Sequence, residues 1–225
     1  MALARTGVTG LSLPWPVRRC SVGATRDNVH RVAGSRSRPR NESGARPVGL
    51  EATMRERFAM DDLIIRRGEP ADVEPAVAVW LAANSARRKG LTPGAEQAAR
   101  ARGHVSNPEA FLLVAEDAGD VVGMALGMQG LADDGAGPPV RGLCHVSMVF
   151  VAPGYWGRGI GGRLVDALLP EARSRGYDRA QLWTQSDNAR ARRLYEGRGF
   201  VASGREKDEF GERIVHYQRA LPETV

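Results

Sequence analysis

Four glycines stand within six positions in WGRGIGGRL (156–164), directly behind the apolar run VSMVFV (146–151) and ahead of a helical pattern. Glycine at a helix N-terminus leaves backbone N–H groups open to an anion, because no Cβ stands in the way and the unpaired amides point along the helix dipole. The chemistry on offer is the holding of a phosphate or diphosphate. Two familiar phosphate patterns fail in this context. Gly157, Gly159 and Gly162 fit G-x-G-x-x-G, but APGYW separates the strand from the first glycine, and the 63 residues after Gly162 are too few for a doubly wound sheet. A P-loop needs Lys and then Ser or Thr after its last glycine, where Arg163 and Leu164 stand.

The elements that must position this loop follow from hydrophobic period. LIIRR (63–67) predicts a short strand, and Val73, Val77, Trp80 and Leu81 recur on one face of an amphipathic helix. The polar segment 84–108, broken by Pro93 and Gly94, predicts a loop and a short helix near 94–103. FLLVAE (111–116) and VVGMALGMQ (121–129) flank the turn DAGD as a hairpin, and 130–142 has the composition of a flexible loop. LCHVSMVFV (143–151), apolar on both faces, reads as a central strand. Ile160, Leu164, Ala167 and Leu168 mark a helix that contains Pro170 and runs to Gly176, and RAQLWT (179–184) is a fifth strand. A helix follows with Asp187 or Asn188 as its N-cap, and strands near 200–205 and 212–220 end the pattern. The expected order is β α α β β β α β α β β, an α+β fold of seven strands and four helices.

The net charge of +6 suggests a nucleic-acid binder until its distribution is read. Residues 1–60 carry 11 Arg and no Lys against Asp27, Glu42, Glu51 and Glu56, a balance of +7, and the remainder is at −1. The basicity therefore belongs to a leader, expected as residues 1–59 ahead of a domain at 60–225, and the domain offers nucleic acid no net basic charge. The leader is rich in Arg, Ser, Gly and Pro and lacks a persistent apolar period, so it reads as disordered. Three origins stay open for it: a start placed too early, with Met54 or Met60 the true one, a solvated tail, or a transit peptide. Cys20 and Cys144 give neither a disulfide framework nor metal spacing, and no apolar run reaches the roughly 18 residues that cross a bilayer. The expectation is a soluble cytoplasmic protein without metal or membrane. A monomer and a homodimer are both compatible with it.

VFVAPGYWGRGIGGRLV resembles the acyl-CoA loop of the GNAT superfamily of N-acyltransferases, and DNARARRLYEGRGF resembles that family's second signature, N-x-x-A-x-x-L-Y-x-x-x-G-F. The two occur in the family's order, and the resemblance covers about 61–220. It implies a mixed, mostly antiparallel sheet of about seven strands flanked by about four helices, split between the fourth and fifth strands. It further implies acetyl-CoA as co-substrate and an amine-bearing acceptor. Val149, Phe150 and Val151 would offer strand backbone to the pantetheine arm. Gly157, Arg158, Gly159, Ile160, Gly161 and Gly162 would wrap the diphosphate, and Asn188 would bond the pantetheine or phosphate region. Tyr195 would sit near the thioester sulfur. Trp156 departs from the Gln or Arg more usual at its position.

Acetyl transfer to an amine needs a neutral nucleophile, an oxyanion donor and a proton for the departing thiolate. Tyr195 is the candidate acid, since a phenol near pKa 10 is matched to a thiolate. The backbone N–H of Val149 is the candidate oxyanion donor. For the base, His145 is a candidate because plain alternation places it, with Ser147, on the face of Val149. Glu116, acting through water at the end of the second strand, is the other. Each has a bland alternative: a packing tyrosine, a satisfied strand histidine, a solvated carboxylate. His104, Asp133 and Asp134 fall in segments where the family recognises its acceptor. Trp183 reads as core, and one of Arg190, Arg192 and Arg193 is placed to reach the 3′-phosphate. A non-catalytic acyl-CoA-binding module of the same fold is the alternative function.

Overall fold

The computed structural model describes residues 63–88, 90–209 and 211–222, so the expected leader at 1–59 lies outside the described residues. Seven strands are formed: β1 (Ile64–Arg67), β2 (Phe111–Asp117), β3 (Asp120–Leu131), β4 (Pro139–Val151), β5 (Arg179–Gln185), β6 (Val201–Glu209) and β7 (Glu212–Ala220). Helices α1 (Val73–Arg87), α2 (Ala95–Val105), α3 (Ile160–Ser174) and α4 (Ala189–Glu196) interrupt them in the expected order. The strands make one sheet, β1-β2-β3-β4-β5-β7-β6. Every neighbouring pair is antiparallel except β4–β5.

Local chemistry explains the boundaries. The β2–β3 turn is shorter than DAGD suggests, because Asp117 and Asp120 still pair and only Ala118 (φ 50°) and Gly119 (φ 90°) make the turn. Two successive positive φ values match the strand twist. The Asn188 side chain accepts the Ala191 N–H at 3.1 Å and so starts α4. The loop expected at 130–142 is also shorter. Strand β3 runs on to Leu131 and β4 begins at Pro139, and Ala132 N–H to Pro138 O and Gly137 N–H to Ala132 O, both 2.9 Å, close the bend.

Two cores sandwich the sheet. On one face Ile160, Leu164, Val165 and Leu168 of α3 meet Leu113, Ala125 and Val146, with Tyr195 and Phe200 in the same cluster. On the other, Ala76, Val77 and Val79 of α1 and Val105 of α2 meet Met124 and Leu126. Burying each large aliphatic side chain contributes about 1.5–3 kcal/mol.

Two irregularities in β4 shape the site. Leu126 faces Met148 and Gly127 faces Val146, which leaves Ser147 as an extra residue in a bulge. Cys144 and Val146, and beyond the bulge Val149 and Val151, therefore face α3, whereas Met148 and Phe150 pack toward α1. Plain alternation, which puts His145 on the face of Val149, fails here because the bulge reverses the phase between them. The second irregularity is a fork. β4 and β5 pair only at Leu143–Arg179, Cys144–Ala180 and His145–Gln181. Beyond that, β4 stays with β3 as far as Val151 while β5 stays with β7 as far as Gln185, so the edge of β4 from Val146 onward has no strand partner on the β5 side. Among the described residues no helix is long and apolar enough to cross a membrane.

Candidate active site

The glycine loop lies at the open end of this fork. After β4, Pro153–Tyr155 make one 3-10 turn, and Gly159 enters α3 with φ 77°. The first loop amides that find an acceptor beyond Trp156 are those of Gly162 and Arg163, both bonded to Gly159 O at 3.0 and 3.1 Å. The five successive amides of residues 157–161 have no partner among the described residues. A row of open N–H groups at the N-terminus of a 15-residue helix is a cradle for a diphosphate.

Gly162, expected in that cradle, belongs to the packing: its amide is used in the first turn, and a Cβ there would collide with Nη2 of Arg198. Arg198 in turn donates from Nε to Gly162 O at 3.1 Å and pairs with Asp166 at 2.8 Å. Trp156 replaces the usual polar residue by using its own donor, Nε1–H to Val151 O at 2.7 Å. Arg190 lies 5.8 Å from the Trp156 ring and Arg158 lies 4.9 Å from that of Tyr155, which puts two exposed cations beside the open amides. Arg192 is committed elsewhere, to Tyr217 Oη at 3.0 Å and Ser186 O at 3.2 Å. Asn188 caps α4, so one lone-pair direction of its carbonyl oxygen is already in use.

Tyr195 is buried, edge-on to Phe200 at 5.8 Å, on the α3 side with Val149 and Val151. Burial pushes its pKa well above the ordinary phenol value, so the proton is held on the oxygen. Its hydroxyl has no hydrogen-bond partner among the described residues.

His145 sits at the crotch of the fork, on the opposite face. Its Nδ1 is buried without a partner, and burial, followed by the charges of His104, His216 and Lys207, lowers its pKa to about 4. At neutral pH the ring is an uncharged base. Glu116 is elsewhere: its carboxylate accepts from Arg66 Nε at 2.7 Å, and Arg66 also holds Asp72. From the register, Glu116 lies two strands from β4 and four β3 residues beyond the level of Val149, about 13 Å along the sheet and about 10 Å across it. The structure does not bring it to the fork.

Sequence reasoning passes over one functional-looking group. His216 of β7 shares hydrogen bonds with Ser203 Oγ through Nδ1 (2.7 Å) and with Gln181 Oε1 through Nε2 (3.1 Å), and Gln181 is the register partner of His145. Trp183, read as core, is half-buried on this face instead, 4.9 Å from His216 and beneath Lys207 (4.7 Å) and Arg205 (5.6 Å). Only the pairing of β5 with β7 reveals this set. A shallow recess beside it is lined by Asp133, Asp134, Gln181 and Arg205, which brings the two loop acids to the same side as His145. Among the described residues no group of three His, Cys, Asp or Glu side chains is placed to hold a metal. Cys144 is buried and its thiol is pushed up to about 12.

The chain is 46 % identical over 57 residues to mycothiol acetyltransferase of Beutenbergia cavernae, over 25 % of this chain and 19 % of the relative. It is 37 % identical over 95 residues to that of Stackebrandtia nassauensis, over 42 % and 29 %. The chain thus spans less than a third of the length of these curated relatives. Among solved structures, ribosomal-protein-alanine N-acetyltransferase of Brucella melitensis matches with TM-score 0.56 at 25 % identity, over 70 % of this chain and 99 % of that one. The Salmonella typhimurium protein yncA, solved with its cofactor acetyl-CoA, matches with TM-score 0.55 at 24 % identity, over 72 % and 96 %. The model of the GNAT acetyltransferase family matches residues 77–200, from α1 to the end of the second signature, and the chain belongs to that family.

Proposed function

We propose that the protein transfers the acetyl group of acetyl-CoA to a primary amine of a small molecule or peptide, by direct attack in a ternary complex. The observation that carries this reading is the row of five open amides, 157–161, at the mouth of a fork whose β4 edge is unpaired. The diphosphate of the co-substrate fits the amides, with Arg158 and Arg190 beside it, and an extended pantetheine arm fits the β5-side edge of Val149–Val151, where Val151 O is already held by Trp156. Acetyl-CoA supplies the activated acyl group, and the chain's own residues do the rest.

Transfer joins the amine nitrogen to the acetyl carbon and breaks the carbon–sulfur bond. The Val149 N–H donates to the carbonyl oxygen as negative charge develops there. His145, neutral and at the crotch, accepts the proton the amine loses, and Tyr195 Oη gives its proton to the departing sulfur and recovers one from solvent. The raised pKa of Tyr195 keeps its phenol protonated at neutral pH. The mycothiol acetyltransferases match over too short a stretch to carry their acceptor across.

The test is CoA release by the full chain with a panel of amines, polyamines, aminoglycosides and peptides. Tyr195→Phe is expected to lower turnover about 100-fold with acetyl-CoA affinity unchanged within about twofold. Unchanged turnover removes Tyr195 as the acid. Binding of acetyl-CoA with no release from any amine makes the protein an acyl-CoA-binding module.

A further inference from the structure

We propose that the protein acetylates itself: the ε-amine of Lys207, beside the β5 wall of the fork, accepts the acetyl group delivered there within the same chain. The inference rests on the transferase reading and names a substrate of that same site.

A side-chain acceptor must be a primary amine that can lose a proton, which a guanidinium does not do in proteins. Of the 32 Lys and Arg residues in the chain only Lys89 and Lys207 are lysines, and Lys207 is the one lysine among the described residues. The fold carries it to the fork. Gln181 is the register partner of His145 where β4 and β5 part, and Trp183 stands two residues further along β5. Val149 stands three β3 residues beyond the level of His145, since His145 faces Met128 and Val149 faces Ala125. Trp183 and Val149 therefore lie within about one residue of the same level, roughly 3.3 Å along the strands. Lys207 belongs to β6, where it faces Ile214 of β7, and its Nζ reaches back to 4.7 Å from the centre of the Trp183 ring. The amine is thus on the side of the fork that holds His145, and its charge acts on both His145 and His216.

The ammonium is lightly held. Its polar contacts are Asp134 O at 3.5 Å and a Glu209 carboxylate oxygen at 3.8 Å, both longer than a good hydrogen bond. The side chain is half-buried, and its flexible four-carbon stem lets Nζ swing toward the Val149 edge while β6 stays in place. The neighbouring cation, Arg205, is tied to Asp134.

The transfer balances with groups already assigned. The ammonium first gives one proton to water. Its nitrogen bonds to the acetyl carbon, the carbon–sulfur bond breaks, His145 takes the second nitrogen proton and Tyr195 gives a proton to the sulfur. The products are N-acetyl-Lys207, the CoA thiol and one net proton.

The experiment incubates the full chain with acetyl-CoA and no added amine, counts acetyl groups by intact mass and places them by peptide mapping. One acetyl at Lys207, with one CoA released, is expected to form at least about 10-fold faster than at Lys207 of the guanidinium-denatured chain, which lacks the bound donor. Lys207→Arg keeps the charge and is expected to abolish that label and the CoA release that accompanies it. Dilution of the chain about tenfold at fixed acetyl-CoA is expected to leave the rate per chain unchanged, as an intramolecular step requires. Labelling of Lys207 at the denatured rate, or a rate per chain that falls on dilution, overturns the inference. CoA release with the amine panel then leaves the transferase reading standing, whereas bound acetyl-CoA with no release to any amine overturns both.

Discussion

The two sides of the fork are built differently. On the proposed cofactor side the candidate contacts are main chain: five consecutive amides, one strand edge and a helix N-terminus, with the bare Gly162 letting backbone pack and the Trp156 indole bonding a carbonyl. On the proposed acceptor side they are side chains from β4, β5, β6 and β7, brought together only by the fold. Backbone recognition needs a local spacing of glycines, and so it reads as a motif. Side-chain recognition needs no spacing at all. One side of this architecture can therefore stay constant while the other is free to change its ligand.

The sharpest way to break this contrast is at Gly159. Its φ of 77° is a left-handed conformation that a β-branched residue tolerates badly, at a cost of about 1–3 kcal/mol. Gly159→Val is expected to weaken acetyl-CoA binding about 100-fold, because several charge-assisted amide contacts are lost together. Calorimetric titration checks it. An affinity within about threefold of the parent would remove the backbone from the account of this side.

The acceptor side is sharpened by pH. Burial lowers the pKa of His145 and His216 from an ordinary 6.5 to about 4, so below 6.5 the unfolded chain binds protons that the folded chain refuses. Their share of stability is complete above pH 6.5 and is lost progressively as pH falls toward 4. Asp72, whose pKa is held down chiefly by its hydrogen bond to Arg66, has the usual carboxylate behaviour, its contribution lost only as pH falls through that lower range. Urea midpoints at pH 7.5, 6, 5 and 4.5 are expected to fall across the histidine window, and His145→Gln or His216→Gln to flatten the fall. A parent profile already flat from 7.5 to 4.5 would mean that these rings are not buried.

The smallest effect belongs to Trp156. Since its indole bonds to Val151 O and the proposed phosphate contacts are amides, Trp156→Gln is expected to change acetyl-CoA affinity by less than about threefold. A larger change would give this side a side-chain component.

The same contrast explains what was legible in the sequence. Element order was readable because Val73, Val77, Trp80 and Leu81 repeat at helical spacing and FLLVAE and VVGMALGMQ flank a turn. The fork was legible only through resemblance to a family, since nothing in LCHVSMVFV says where pairing with β5 stops. The bulge at Ser147 was invisible: an extra residue inside an unbroken apolar run leaves no mark on the pattern, yet it decides which face His145 takes. Trp183 and His216 were missed because their meeting depends on β7 inserting between β5 and β6, a long-range pairing with no local signal. Glu116 looked available because its partner Arg66 is 50 residues away in sequence.

The most direct test of the central claim, that bare backbone at 157–161 holds the diphosphate of an acyl donor, is a calorimetric titration of the full chain with acetyl-CoA and, separately, with acetyl-pantetheine, which keeps the thioester arm but lacks the nucleotide diphosphate. The account predicts micromolar binding of acetyl-CoA and binding at least about 100-fold weaker for acetyl-pantetheine. Equal affinity for the two, or no binding of acetyl-CoA, would contradict it.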